Sequence, residues 1–187
     1  PVVAGKYGAF ADCAWGETMA YDCLSILDWQ TGEKVAEVHA RLTDDEMAKV
    51  CFDLCTEYNK AFLGIESNGE GINVTNKLIA LGYGDRMYHK GEKWRESGQE
   101  YNSHRGWWTN ESTRPVMLGE YAEAVRNRQV IEHCRQSVQE HFSFIRNERG
   151  RAMHALGAYD DHVMSNAGAW QMRKYAQFSL GSGKPIY

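Results

Sequence analysis

The chain has 187 residues, of which 43% are apolar and 25% charged, and its formal net charge is −4. That is an ordinary composition for a globular domain, and the length suffices to bury a core without staples. No apolar run approaches the roughly 18 residues of a membrane span. The charge gives no whole-chain sign of a nucleic-acid partner, an objection that weakens if several acids are neutralised by bound cations.

The chain begins at Pro1 rather than Met and shows no charged leader followed by a long apolar stretch, which reads as a fragment of a longer chain or a processed product. Three strands are predicted first: Ala9 to Ala14, Cys23 to Trp29 and Lys34 to Ala40, the last two joined by a turn over Gln30-Thr31-Gly32-Glu33. Thr43 and Glu46 then make a T-x-x-E capping box, and Met47, Val50, Cys51, Leu54, Cys55 and Tyr58 recur on one helical face. Ala61 to Ile65 reads as a buried strand running into Glu66-Ser67-Asn68-Gly69-Glu70-Gly71. A helix from about Ile72 to Leu81 stops at Gly82, and Met87 to His89 suggests a further short strand.

Residues 89–111 are irregular, polar and aromatic, and a connection this long is usually functional or mobile. Helices are predicted from a Ser112 cap through about Asn127 and from about Cys134 to Phe142. A hairpin pairs Phe144–Arg146 with Ala152–His154, a last helix runs from near Asp160 to about Gln177, and a flexible tail follows from about residue 178. Strands interleaved with helices, after an opening meander, predict one α/β domain with a central mixed sheet flanked by helices.

The five cysteines (13, 23, 51, 55 and 134) include no C-x-x-C pair, which argues for a reducing compartment and against a disulfide framework. Cys51 and Cys55 suit a buried helix face better than a metal pair, having no neighbouring His. No G-x-x-x-x-G-K-[ST] loop, H-E-x-x-H or G-x-S-x-G is present.

The chemistry lies with the acids. Asp12 sits in an apolar strand, where an unpaired carboxylate costs several kcal/mol unless it is matched or holds a cation. Glu66 ends another apolar strand, and Asp160 and Asp161 open the last helix, where simple capping of the helix dipole is the plainer explanation. Taken singly, each acid is adequately explained as structure. Converging on one sheet edge, they would suit hard divalent cations, which take several oxygen ligands. Two such ions about 3.5–4 Å apart can drive phosphodiester cleavage.

Four stretches carry a resemblance. They are Ala11-Asp12-Cys13-Ala14-Trp15-Gly16 with Tyr21-Asp22 and Asp28; Tyr58-Asn59 with Ile65-Glu66-Ser67-Asn68-Gly69-Glu70-Gly71; Trp108-Thr109-Asn110 through Arg114; and Gly157-Ala158-Tyr159-Asp160-Asp161-His162-Val163-Met164. In this order they resemble the nuclease domain of tailed-bacteriophage large terminase subunits, from about residue 8 to residue 172. The resemblance implies an RNase H-like fold and a two-metal (Mg²⁺ or Mn²⁺) endonuclease that cuts concatemeric double-stranded DNA during packaging. It makes Asp12 and Glu66 catalytic metal ligands, with one or both of Asp160 and Asp161 completing the set, and matches Asp22 to an acid that is either an outer ligand or an exposed turn residue. Partners implied are double-stranded DNA, an ATPase domain absent from this chain, a small terminase subunit and a portal, in the host cytoplasm and at the procapsid. Rival readings are a junction resolvase or transposase core, or a non-catalytic packaging module. Cys13 and His162 depart from the family's common residues, and His162 reads as an exposed helix residue rather than a phosphate contact.

For DNA contact, Lys93, Arg95 and Arg105 interleave with Trp94, Trp107 and Trp108, a pattern suited to phosphate contact with stacking, or to a structural flap. Residues 84–114 hold six Lys or Arg against five acids, so this is no basic patch. Arg146, Arg149 and Arg151 flank the hairpin turn and are candidates for phosphate contact, the alternative being a solvated tip. Asn68 to Gly71 is either a phosphate-facing loop or a glycine-bearing strand-to-helix turn.

Overall fold

The computed structural model describes residues 6–14, 21–69, 71–90, 104–148 and 150–176. The opening meander forms as β1 (Tyr7–Asp12), β2 (Asp22–Asp28) and β3 (Lys34–Ala40), followed by α1 (Asp44–Glu57), β4 (Phe62–Ile65) and α2 (Gly71–Ala80). The short strands β5 (His89–Lys90) and β6 (His104–Arg105) pair with each other. Then come α3 (Thr113–Arg126), α4 (Arg135–Ser143), the hairpin β7 (Phe144–Arg146) and β8 (Ala152–His154), and α5 (Asp161–Met172). The expected tail from residue 178 lies outside the described residues.

The main sheet has the order β3-β2-β1-β4. The first three strands are antiparallel, while β4 runs parallel to β1. A parallel partner requires a crossover, and α1 supplies it. Its start is the expected capping box: Thr43 Oγ1 accepts from the Glu46 N–H while Glu46 accepts from the Thr43 N–H. At the other end of the sheet the edge of β4 is covered. Tyr88 N donates to Leu63 O at 2.8 Å and Trp107 N to Ile65 O at 2.7 Å, so this edge offers few unpaired backbone groups.

Alternation along the strands divides the core. On one face Ala9, Ala11, Leu24, Ile26, Leu63 and Ile65 pack against Met47, Cys51, Cys55, Val74 and Leu78 of α1 and α2. Cys51 and Cys55 are buried and free, and burial pushes the Cys55 thiol up to about 12. On the other face Phe10, Leu27 and Phe62 meet Met117, Leu118, Tyr121, Val163, Ala167 and Trp170 of α3 and α5.

The last helix lies unusually close to the sheet. Every residue from His162 to Met172 is buried, so α5 shows no exposed polar stripe. Small residues allow the approach: a Cβ on Gly168 would stand 2.2 Å from the Phe10 ring, and one on Gly64 2.4 Å from Met172 Sδ. Ser165 Oγ also donates to Phe10 O at 2.9 Å. Helix propensity alone favours Ala over Gly by about 1 kcal/mol. Here overpacking is expected to reverse that sign, with Gly168→Ala costing about 1–3 kcal/mol in urea unfolding. A stabilised variant would show that the contact is loose.

Candidate metal centre

The parallel pairing of β1 and β4 brings the first two acids together. Ala11 is in register with Ile65, and Glu66 N donates to Ala11 O at 2.9 Å. Asp12 and Glu66 therefore leave neighbouring strands side by side, close enough for the charge of Glu66 to act on Asp12. The start of α5 faces them, because this helix packs along β1 and β2. Burial, then the charges of Glu66, Asp161 and Asp160, push Asp12 well above the usual carboxylate range. Four acids expected at separate places in the chain thus act on one another.

The adjacent aspartates have different holders. Asp161 Oδ2 lies 3.2 Å from His39 Nε2. Burial raises its pKa, opposed by the bond and charge of His39. Asp160 Oδ2 accepts from Arg114 Nη2 at 2.7 Å, and Nη1 of the same guanidinium donates to Ala152 O at 2.5 Å. Arg114 therefore ties Asp160 to the hairpin. Asp160 occupies the N-cap position of α5, but its side chain makes no capping bond; only its carbonyl accepts, from Met164 N at 2.8 Å. No capping hydrogen bond therefore accounts for the Asp160 carboxylate.

Asp22 is placed elsewhere. Asp12 is paired with Cys23, so Asp22 points to the opposite face of the sheet. Its Oδ1 accepts from Ala14 N and its Oδ2 from Leu42 N, each at 3.0 Å. With 6% exposure and both oxygens engaged, Asp22 fastens the chain leaving β1 to the chain leaving β3. It is neither an exposed turn residue nor a member of the acid cluster.

His162 corrects an expectation. It is 1% exposed, not a surface residue. Its Nδ1 lies 3.0 Å from Glu37 Oε2 and 3.8 Å from Cys23 Sγ. Cys23, Glu37 and His162 are close enough to suggest a second cation site, but Lys34 already pairs with Glu37 and also with Glu132, the latter at 2.7 Å. Burial would raise the Glu37 carboxyl; bonds from His162 and Lys34 overcome this and hold it at about 2. This group is a buried ion-pair network supporting α5 from below.

Of the candidate DNA contacts, Lys93, Arg95 and Arg149 lie outside the described residues, as do the side chains of Arg105 and Arg146. Arg151 is exposed beside the hairpin turn. It lines a groove of about 680 Å³ between α3 and the hairpin, together with Arg114, Arg126, Leu118, Phe144 and Ile145. The loop after Glu66 turns on glycine for packing: a Cβ on Gly71 would stand 1.7 Å from Glu66 O. Asn68 Nδ2 donates to Thr109 O at 2.6 Å, anchoring the same loop. Sequence reasoning missed His39 as a site residue. The available signal was the alternation of β3, which puts His39 on the same face as Glu37.

No family model matches the sequence, and no curated protein sequence matches it. Among solved structures, the large terminase nuclease of thermophilic phage G20c with bound cobalt superposes with a TM-score of 0.69 at 20% identity, over 90% of this chain and 81% of that one. The same nuclease with bound magnesium gives 0.67 at 20% identity, over 90% and 82%. The human cytomegalovirus terminase nuclease domain gives 0.63 at 8% identity, over 94% and 86%. The chain has the fold of the large terminase nucleases, an RNase H-like α/β architecture with a mixed four-stranded sheet.

The donor set fits a hard divalent cation. It consists of carboxylate oxygens from two strand ends and a helix start, and the raised pKa of Asp12 records first its burial and then the charges of the neighbouring acids. A stability consequence follows. Asp12 binds its proton more tightly in the fold than in the unfolded chain, so its contribution to stability is fully present below about 3.9, the ordinary Asp value, and is lost as pH rises through the raised folded value. Without divalent cations, Asp12→Asn is expected to raise Tm near neutral pH and to change it little below about pH 4, each kcal/mol gained appearing as about 2–4 °C. Thermal melts in chelator at both pH values measure this; a lower Tm near neutrality would contradict it.

Proposed function

We propose that this chain is the metal-dependent endonuclease domain of a viral DNA-packaging terminase, cutting concatemeric double-stranded DNA by phosphodiester hydrolysis with two Mg²⁺ or Mn²⁺ ions. The observation that carries this reading is the convergence of Asp12, Glu66, Asp160 and Asp161, within a fold shared with terminase nucleases that bind cobalt or magnesium. Bound divalent cations supply charge stabilisation for phosphodiester hydrolysis and need no protein base.

In this reading Asp12 and Glu66 hold the cations between the two parallel strand ends. Asp161, which acts on Asp12 more strongly than Asp160 does, closes the set from above. Asp160 stands at the rim, where its ion pair with Arg114 links the centre to the hairpin. Exposed Arg151 beside the hairpin turn suits contact with a DNA phosphate. The negative whole-chain charge suits a domain that leaves much of its DNA affinity to partners. Those partners are an ATPase domain, a small terminase subunit and a portal, met in the host cytoplasm and at the procapsid. Among the described residues no helix is long and apolar enough to cross a membrane.

Plasmid digestion with Mn²⁺ tests the reading. Wild-type chain is expected to nick and linearise, chelator to abolish cutting, and Asp12→Ala to lose at least about 100-fold, since changing even an outer partner of a metal ligand typically costs about 10–100-fold. Equal nicking by both proteins would refute the site, and a strong preference for branched junctions would favour a resolvase.

Separating the remaining acids is a further test. Asp161→Asn is expected to reduce Mn²⁺ affinity more than Asp160→Asn. Asp22→Asn should leave affinity within about threefold while costing about 1–3 kcal/mol of stability through lost backbone hydrogen bonds. Calorimetric titration and denaturant melts of the three variants provide the measurements, and an Asp22→Asn protein that folds normally but no longer binds Mn²⁺ would return Asp22 to the ligand set.

A further inference from the structure

We propose that His39 is a positioning residue that aims Asp161 at the metal centre, and that β3 thereby contributes to a site otherwise formed by β1, β4 and α5. The proposal rests on the metal-centre reading above and adds an outer partner to it.

The His39 ring is held on both faces. Tyr21 stacks on one side at 4.6 Å between centroids and 29° between planes, and His162 covers the other at 4.2 Å and 40°. The Arg41 guanidinium lies 4.7 Å from the Tyr21 ring centroid, and Tyr159 meets Tyr21 edge-on at 6.2 Å. His162 is itself anchored from below by Glu37. Rings packed on its faces oppose rotation about the Cβ–Cγ bond, so the ring plane and the direction of its Nε2 edge are held. Its Nε2 edge faces Asp161 Oδ2 at 3.2 Å, with His39 and Asp161 side chains only 11% and 18% exposed.

Strand register explains why a β3 residue reaches the site. Asp12 pairs with Cys23, and Cys23 pairs with His39. The three therefore form one row across the sheet, on the face beneath α5. From there an Nε2–H donated to Asp161 occupies one carboxylate oxygen and leaves the other for the centre. Adjacent helical side chains diverge by about 100°, and Asp160 is turned to Arg114 instead. His39 and Arg114 thus divide the two aspartates between an inner and an outer position. Packing alone would account for the ring stack but not for the direction of its polar edge. Outer partners that orient metal ligands typically contribute about 10–100-fold to metal affinity.

His39→Phe keeps a stacking ring and removes the donor, while His39→Gln keeps an N–H near the position of Nε2. Mn²⁺ affinity, measured by calorimetry alongside metal-free melting, is expected to fall about 10–100-fold in His39→Phe and by no more than about threefold in His39→Gln. In an Asp161→Asn background the His39→Phe change is expected to have no further effect on affinity. Wild-type affinity in a folded His39→Phe protein, or equal losses with and without Asp161, would overturn the positioning role. If wild type shows no Mn²⁺ binding that depends on Asp12, the metal-centre reading fails, and the positioning role fails with it. If that binding is present and only the His39 dependence is missing, the positioning role alone fails.

Discussion

The parallel contact between β1 and β4 is the constraint on which the rest depends. It sets Asp12 and Glu66 side by side at the same end of the sheet, where β1 and β4 stop. Antiparallel neighbours would have put these two acids at opposite ends. The α1 crossover is therefore as important to this arrangement as the acids themselves, because it is what allows β4 to return in the direction of β1.

Crowding acids is unfavourable in a fold without cations, and the surrounding structure is built to tolerate it. The acids lie at the sheet end rather than in its middle, and each of the helix-borne pair meets a nitrogen donor. Beneath α5, Lys34 joins Glu37 and Glu132, and Glu37 in turn holds His162. Removing one partner from such a buried network leaves an uncompensated charge. Through His162 the network ties the first turn of α5 to β3. Glycine at 168 and alanines at 167 and 169 act toward the same end, bringing the helix down onto Phe10.

Much of this was legible in local pattern. The β3 bounds, the capping box at Thr43 and Glu46, the two hairpin strands and the burial of Cys51 and Cys55 follow from short-range periodicity and turn chemistry. Glu66 and the Asp160-Asp161 pair were recognisable as acids at element ends, and Asp12 as an acid in an apolar strand. Asp22 was not separable from them, because it too stands at a strand end. One step of register turns it to the other face, where backbone N–H groups take both its oxygens. His162 was misread because an acid precedes it and α5 carries no amphipathic stripe, being buried on all sides.

The sequence by itself determined the order and type of most elements, and that Glu66 and the Asp160-Asp161 pair stand at element ends, since these depend on neighbours a few positions away; β1 was expected over Ala9 to Ala14 and forms as Tyr7–Asp12, so that Asp12 ends it only in the structure. Which acids meet was decided only by tertiary structure. Strand order joined Asp12 to Glu66, helix depth brought Asp161 over them, and cross-strand register put His39 beneath Asp161. These relations link residues up to 149 positions apart, from Asp12 to Asp161. No local propensity encodes such a separation; it is imposed by the packing of α5 against β1 and β2.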